Sequence, residues 1–140
     1  MQGTVYQRLY ARLKELIPTL EAPKEGASFY APARVAGDIA SYCTFAKVES
    51  GKLELEIAQD SVVGGVTQPQ RTMVFKVNVC EQVAELLVME DSWRYEVAYG
   101  NGEPNPRRSR MNVLALNSVT AMMALGGVFV PVEAAVSVEA

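Results

Sequence analysis

The chain has 140 residues, of which 49% are hydrophobic and 21% are charged, and its formal net charge is -3. This length and composition predict one globular domain with a hydrophobic core, and they exclude a disordered chain. The acidic balance argues against general nucleic-acid binding, which usually needs a basic surface. Histidine is absent, which excludes Ser-His-Asp and Cys-His nucleophile arrangements and zinc sites built on imidazole.

The N-terminal segment from Thr4 to Ile17 predicts an amphipathic helix. Thr4 and Gln7 have the spacing of a capping box, and Pro18 fits the end of the helix. The apolar residues that recur at three- and four-residue steps are Val5, Leu9, Leu13, Leu16 and Ile17.

A period of two replaces the helical period from Ile39 onward and predicts strands that continue to Tyr99. Before them, residues 27–38 are ambiguous, although Phe29 and Tyr30 fit a short edge strand. Ser50-Gly51 predicts a tight turn, and residues 60–71, with Gly64-Gly65 and Pro69, predict an exposed loop. The expected core residues of the sheet are Leu53, Leu55, Ile57, Met73, Phe75, Val77 and Val79.

The uncharged stretch from Met111 to Val132 is long enough to cross a bilayer, and arginines precede it. Its polar residues and the helix stop at Gly126-Gly127 favour instead a largely buried helix over about 106–125 that covers the sheet. We therefore predict a single α+β domain over 1–140. One antiparallel sheet of four to five strands (about 39–99) forms a meander, a helix at about 4–17 and the helix at about 106–125 pack on one face, and residues 128–140 form an extended tail. No membrane association is expected.

Two cysteines, Cys43 and Cys80, lie in runs that we interpret as strands. One disulfide is arithmetically open, but free cysteine packs as a small hydrophobe, so we expect two buried free thiols. Free thiols fit a reducing compartment, and Met1 to Arg12 contain no secretory signal, so we expect a cytoplasmic protein. No metal site or cofactor is expected.

Three arginines, Arg107, Arg108 and Arg110, fall in the first turn of the predicted second helix. They form a candidate contact for an anion or an acidic partner, because helix N-terminal amides and guanidinium groups bind anions together. The alternative is a solvated face whose charges pair locally with Glu103 or with the turn at Glu90-Asp91.

A second candidate surface combines the aromatic residues of the last predicted strand with the tail. Trp93, Tyr95 and Tyr99 share one face, where they either stack a planar ligand or form core under a helix. The tail residues Val128, Phe129 and Val130 are β-formers that could pair with a sheet edge in this chain or in a partner chain.

The remaining chemical signals are weak. Glu54 and Glu56 project from one face, as do Glu85 and nearby Glu81, but glutamates on an exposed strand face usually serve solubility rather than acid-base catalysis. The Gly64-Gly65 loop lacks the context of a phosphate-binding loop. No catalytic residues are expected.

Several segments together resemble small bacterial domains of unknown function, some of which occur in genomic islands and mobile elements. They are the helix from Tyr6 to Pro18, the strand Leu53 to Ile57, the strand Met73 to Val79 with Val83 to Leu87, and a closing helix that ends in glycine. The resemblance covers nearly the whole chain. It implies the α+β fold and a cytoplasmic bacterial or phage-like origin, and it carries over no functional residues.

These observations favour a non-enzymatic binding or protein-interaction module with an unknown protein partner. A homodimer through the aromatic strand or the tail is compatible with this hypothesis. The alternative is a small-molecule, anion or nucleotide-binding domain that uses the helix start at Arg107–Arg110.

Overall fold

A computed structural model describes residues 3–31, 40–63, 66–91, 93–124 and 129–131. Within these residues, two helices, α1 (Val5–Leu16) and α2 (Arg108–Ala124), accompany nine strands. The first six strands are β1 (Ser28–Ala31), β2 (Ala40–Glu49), β3 (Lys52–Val63), β4 (Val66–Asn78), β5 (Val83–Asp91) and β6 (Tyr95–Val97). The other three are short: β7 (Tyr99–Gly100), β8 (Glu103–Pro104) and β9 (Val130–Pro131).

The main sheet has the strand order β6-β5-β4-β3-β2-β1-β9, and every neighbouring pair is antiparallel. Strands β1 to β6 form a meander, while β7 and β8 pair separately as a small hairpin. The α+β class, the meander and the two helices are as predicted. The sheet is larger than the predicted four to five strands, because short segments at both edges also pair.

Helix α1 starts where the sequence predicts, because its cap is local. The Thr4 hydroxyl accepts a hydrogen bond from the backbone N–H of Gln7, and the Gln7 side chain accepts one from the backbone N–H of Thr4. This reciprocal pair satisfies two amides that the first turn leaves without partners. The buried side of the helix consists of Leu9, Tyr10, Leu13 and Leu16.

The turn between β2 and β3 is a two-residue hairpin turn, as predicted. Ser50 and Gly51 both have positive φ, at 45° and 79°, the combination that a hairpin turn matching the strand twist requires. A Cβ atom on Gly51 would lie 2.9 Å from the Cys80 Sγ atom, so any other residue there would also displace the Cys80 side chain.

The long hairpin of β3 and β4 replaces the loop that we predicted over residues 60–71. Strand pairing continues past Asp60, which lies opposite Pro69, and only residues 64 and 65 between the two strands fall outside the described part of the chain. A register shift beside Gln59 leaves Gln70 as an extra residue, and proline within a sheet is tolerated at such a bulge. Gly-Gly is itself a hairpin signal, so the loop prediction was wrong.

One hydrophobic core joins the inward face of the sheet to both helices. The predicted core residues Leu53, Leu55, Ile57, Met73, Phe75 and Val77 are buried, and Val79 packs half-buried against them. From α2, the core receives Met111, Ala115, Leu116, Val119 and Met122.

The second helix is less buried than we predicted. Arg108 is its first residue, so Pro106 and Arg107 precede it, and the predicted end at residue 125 lies outside the described residues. Val113, Asn117 and Thr120 form an exposed side, with 46% of Val113 accessible. Among the described residues, no helix combines the length and the apolar character needed to cross a membrane.

The two thiols differ, which corrects one sequence prediction. Both cysteines are free, but only Cys43, in β2, is buried, while Cys80 is exposed in the turn after β4. Burial raises the pKa of the Cys43 thiol to about 12. β4 ends at Asn78, so Cys80 lies in a turn and not in the strand that we predicted, and this is why the prediction was wrong.

Candidate interaction surface

Trp93 lies between β5 and β6 and is held outside the protein by hydrogen bonds to Asp91. Its side chain is 92% exposed. Asp91 Oδ1 accepts hydrogen bonds from the backbone N–H groups of Trp93 and Arg94, at 2.8 and 3.0 Å. These bonds, that of Trp93 first, lower the pKa of the Asp91 carboxyl. The carboxylate therefore fixes the turn that presents the indole, and Trp93 is a turn residue rather than the strand residue we predicted.

The two other aromatic residues of the predicted row are also exposed. Tyr95 begins β6 opposite Glu90 and is 64% exposed, whereas Tyr99 begins β7 and is 42% exposed. Ala98 between them is fully buried, and its backbone N–H donates to the carbonyl oxygen of Leu87. The row is thus divided between a turn and two strands, and none of its aromatic side chains belongs to the core under a helix.

Arg107 belongs to a chain of charges on the helix side of β6. Asn105 Oδ1 accepts from the backbone N–H of Arg107, at 2.9 Å, and so fixes the approach to α2. The Arg107 guanidinium lies 3.4 Å from Glu96, which also pairs with Arg94 at 3.3 Å, and Arg94 in turn pairs with Asp91. The local partner of Arg107 is therefore Glu96, not Glu103 or the Glu90-Asp91 turn.

Arg108 is engaged at a separate point on the edge of β5. The Tyr99 hydroxyl donates to Glu85 Oε2 at 2.7 Å, and the Arg108 guanidinium lies 3.4 Å from the same carboxylate. The guanidinium also contacts the Tyr99 hydroxyl and lies over the Tyr99 ring, 5.3 Å from its centroid. The hydrogen bond to Glu85 favours the neutral phenol and is the main reason why the pKa of Tyr99 is raised.

The three arginines therefore do not form one cationic site. Arg107 and Arg108 are paired with different glutamates, and Arg110 is exposed on α2 with no ion pair among the described residues. An anion at the helix start would have to compete with Glu96 and Glu85 for the guanidinium groups.

The described part of the tail, residues 129–131, contributes to the fold. Phe129 is 1% exposed, and its backbone N–H donates to the carbonyl oxygen of Leu16 at 2.9 Å. Val130 and Pro131 pair with β1 of the same chain, opposite Tyr30 and Phe29. Phe129 is therefore a core residue, which corrects its assignment to an interaction surface, and Val128 lies outside the described residues.

The four glutamates do not assemble into an acid-base pair. Glu54 and Glu56 lie on the sheet face opposite the helices, whereas Glu81 binds the Asn78 side chain in the turn before β5. Glu85 is occupied by Tyr99 and Arg108. Among the described residues, no three acidic or thiol side chains form a group suited to a metal ion.

A polar groove of about 310 Å³ lies between α1 and the β4–β5 turn. Two of its polar lining residues, Tyr10 and Lys14, are directed to Glu21: the Tyr10 hydroxyl donates at 3.3 Å, and the Lys14 ammonium pairs at 3.3 Å. The groove therefore presents few free polar groups to a ligand. Its lining residues are Gln7, Tyr10, Ala11, Lys14, Glu81 and Gln82.

The sheet face opposite the helices, here called the open face, was not identified from the sequence. Directly paired residues of an antiparallel sheet share a face, so the register defines rows across it. One row runs Tyr30, Tyr42, Ala58, Thr72, Glu90 and Tyr95, from β1 to β6. The Tyr30 and Tyr42 rings are 5.0 Å apart, and Tyr42 is 39% exposed. Alternation could have assigned these residues to one face, but only the register aligns them.

Comparison with known proteins finds no family model, no curated protein and no solved structure that matches this chain.

Proposed function

We propose that this chain is a non-enzymatic protein-interaction module that binds an unknown protein partner through the β5–β6 turn. The observation that carries the proposal is the exposure of Trp93, at 92%, on a turn that Asp91 holds through two backbone hydrogen bonds. A large apolar side chain held in water contributes nothing to the core. Its burial in a partner's pocket would be favourable and would need little ordering of the turn.

The neighbouring residues have the composition of a binding hot spot. Tyr95 supplies a second exposed aromatic side chain two residues away, and Arg94 lies between them. Tryptophan, tyrosine and arginine dominate the residues that contribute most to protein–protein affinity. Because Arg94 and Arg107 are paired with Asp91 and Glu96, we expect the complementary site to be an apolar pocket with hydrogen-bonding groups at its rim.

The anion-binding alternative receives less support from the geometry. The guanidinium groups of Arg107 and Arg108 already lie 3.4 Å from carboxylates and point to different partners. A ligand at the helix start would have to replace existing ion pairs, whereas a partner at Trp93 would displace only water.

The test uses tagged wild-type protein and two variants to capture proteins from the organism that encodes the chain. Trp93→Ala removes the exposed indole, and Val113→Ala, on the exposed side of α2, is the matched control. We expect a partner that wild type and Val113→Ala retain and that Trp93→Ala loses by at least about tenfold, the effect of a hot-spot residue. Equal capture by all three proteins would contradict the proposal, as would binding to lipid vesicles in place of a protein.

Trp93 is the only tryptophan of the chain, so it reports its own environment without a label. In the free protein we expect fluorescence typical of indole in water and rapid quenching by acrylamide. Addition of the purified partner should shift the emission to shorter wavelength and protect the indole. Unchanged emission and quenching in the complex would place the interface elsewhere.

A further inference from the structure

The open face carries a row of charged side chains, most of which form no ion pair with the described residues. Glu54 in β3 lies directly opposite Lys76 in β4. The same row continues to Lys47 in β2 and Glu85 in β5, so that the four charges alternate in sign across the sheet. Apart from Glu85, these side chains make neither an ion pair nor a hydrogen bond with the described residues.

The arrangement of these charges is self-complementary. Consider two copies stacked open face to open face, with a twofold axis between them that is parallel to the strands and midway between β3 and β4. This axis places β3 of one copy opposite β4 of the other, and β2 opposite β5. Each row then lies opposite the same row of the second copy. Two copies stacked by this axis would bring Glu54 of each copy opposite Lys76 of the other. Lys47 of each copy would lie opposite the second copy's Glu85, but that carboxylate already pairs with Arg108, so the complementarity rests on the Glu54–Lys76 pairs.

The row that contains the tyrosines obeys the same operation. Its central residues, Ala58 and Thr72, are small, and Ala58 of one copy would lie opposite Thr72 of the other. Toward the edges, Tyr42 of one copy would lie opposite Glu90 of the other, and its phenol can donate to that carboxylate. Tyr30 of one copy would form an aromatic pair with Tyr95 of the other. Small residues at the centre and large residues at the edges suit two twisted sheets that pack face to face.

The row between these two is mainly apolar near β5. Thr44 of one copy would lie opposite Val88 of the other, and Glu56 would lie opposite Val74. Lys76 of the second copy lies one row from that Val74. Stacked sheets lie about 10 Å apart, a separation that the long side chains of Glu56 and Lys76 can bridge together. Val74 and Val88 are only half-buried in the single chain, so stacking would remove apolar surface from water.

We propose that the open face binds a second copy of this chain and forms a face-to-face, twofold symmetric dimer. A fourth row of the open face contains Glu49, Lys52, Asn78 and Val83. Six strands about 4.8 Å apart and four rows about 7 Å apart give a face of roughly 24 by 20 Å, or roughly 500 Å² per copy. This area is below the roughly 800 Å² per partner of a standard interface. The dimer is therefore weak and depends on protein concentration and salt.

This inference goes beyond the proposed function: the two surfaces share Tyr95 at the edge of the open face, but the dimer does not use Trp93. The charge variants below report on the dimer, whereas Trp93→Ala reports on partner binding, so that each proposal can fail without the other.

The experiment measures sedimentation equilibrium up to about 300 µM, because interfaces of this size dissociate in the micromolar range or more weakly. Wild type is expected to dimerise. Glu54→Lys places lysines on both central strands and Lys76→Glu places glutamates there, so each variant alone should dimerise at least about tenfold more weakly. An equimolar mixture of the two variants should recover the dimer, since every opposed pair is then of opposite sign.

Recovery in the mixture also shows that both variants fold, and circular dichroism of each variant provides an independent check. Arg110→Glu and Glu103→Lys produce the same changes in net charge at exposed positions away from the open face, so they should dimerise as wild type does. A monomeric wild type, single variants with unchanged dimerisation, or a mixture that stays monomeric would each overturn the proposal.

Discussion

Asn112 of α2 and Leu86 of β5 are joined by a buried hydrogen bond that attaches the helix to the sheet. The backbone N–H of Leu86 donates to Asn112 Oδ1 at 2.7 Å, and the Asn112 side chain donates to the carbonyl oxygen of Arg108 at 2.9 Å. β6 pairs with β5 only at residues 88–90. The side chain therefore satisfies an amide on the part of β5 that β6 leaves unpaired.

We predict that Asn112→Ala destabilises the protein by about 1–3 kcal/mol, because the amide of Leu86 would remain buried without a partner. Urea unfolding followed by circular dichroism measures this change. Asn117→Ala, on the exposed side of the same helix, is the matched control and should change stability by less than about 0.5 kcal/mol. Equal stability of the two variants would show that water or another group satisfies Leu86 instead.

Much of the fold follows from local patterns in the sequence. Thr4 and Gln7 mark the start of α1, and the period of two from Leu53 to Val77 identifies the inward face of the sheet, because burial acts on each side chain separately. The same logic failed at Pro69, since the bulge beside it at Gln70 lets the sheet tolerate proline, and this bulge depends on the pairing with β3. In the sequence, Asn112 is one of the polar residues that argue against a membrane span. Its hydrogen bond to Leu86 could not be predicted, because Leu86 lies 26 residues away in β5.

The candidate surfaces were predicted less well, because exposure depends on contacts between distant residues. The sequence selected Trp93, Tyr95 and Tyr99, but an aromatic row is usual both in a core and on a surface. Nothing local indicates that Arg108 pairs with Glu85, or that Phe129 fills the core beside Leu16. The open face required the register of six strands, which three bulges alter.

We predict that Phe129→Ala lowers the free energy of unfolding by roughly 3–5 kcal/mol, as expected for truncation of a fully buried phenylalanine. The loss should also release β9 from β1, since Phe129 directly precedes that strand and its backbone bonds to Leu16. Thermal unfolding gives the stability, and hydrogen exchange at Tyr30 reports the pairing. A small loss of stability would indicate that Phe129 is not a core residue in solution.

The two cysteines should react at very different rates with a thiol reagent at mildly alkaline pH. The thiolate is the reactive form, and burial raises the pKa of Cys43 to about 12, whereas Cys80 is exposed. We expect one equivalent of reagent to react quickly and the second only after unfolding. Cys80→Ser should abolish the fast reaction and Cys43→Ser should preserve it. Fast reaction of both thiols would contradict the burial of β2.

Acidification should loosen the turn that presents Trp93. Because hydrogen bonds from Trp93 and Arg94 lower the pKa of Asp91, the carboxylate stabilises the turn above the usual pKa of aspartate. This contribution is lost as the pH falls through the lowered pKa. The chemical shift of the Trp93 backbone amide, followed by NMR, should therefore titrate at a pH below that of an unstructured aspartate.

Two variants separate the causes of this lowered pKa. Arg94→Ala should raise the pKa of Asp91 only in part, because the backbone bond from Trp93 is the larger cause and remains. Asp91→Asn keeps an oxygen acceptor for both amides but cannot ionise, so the titration of the Trp93 amide should vanish while its shift stays near the wild-type value. If the amide titrates at or above the usual pKa of aspartate, Asp91 does not hold the turn, and the indole is not pre-organised for a partner.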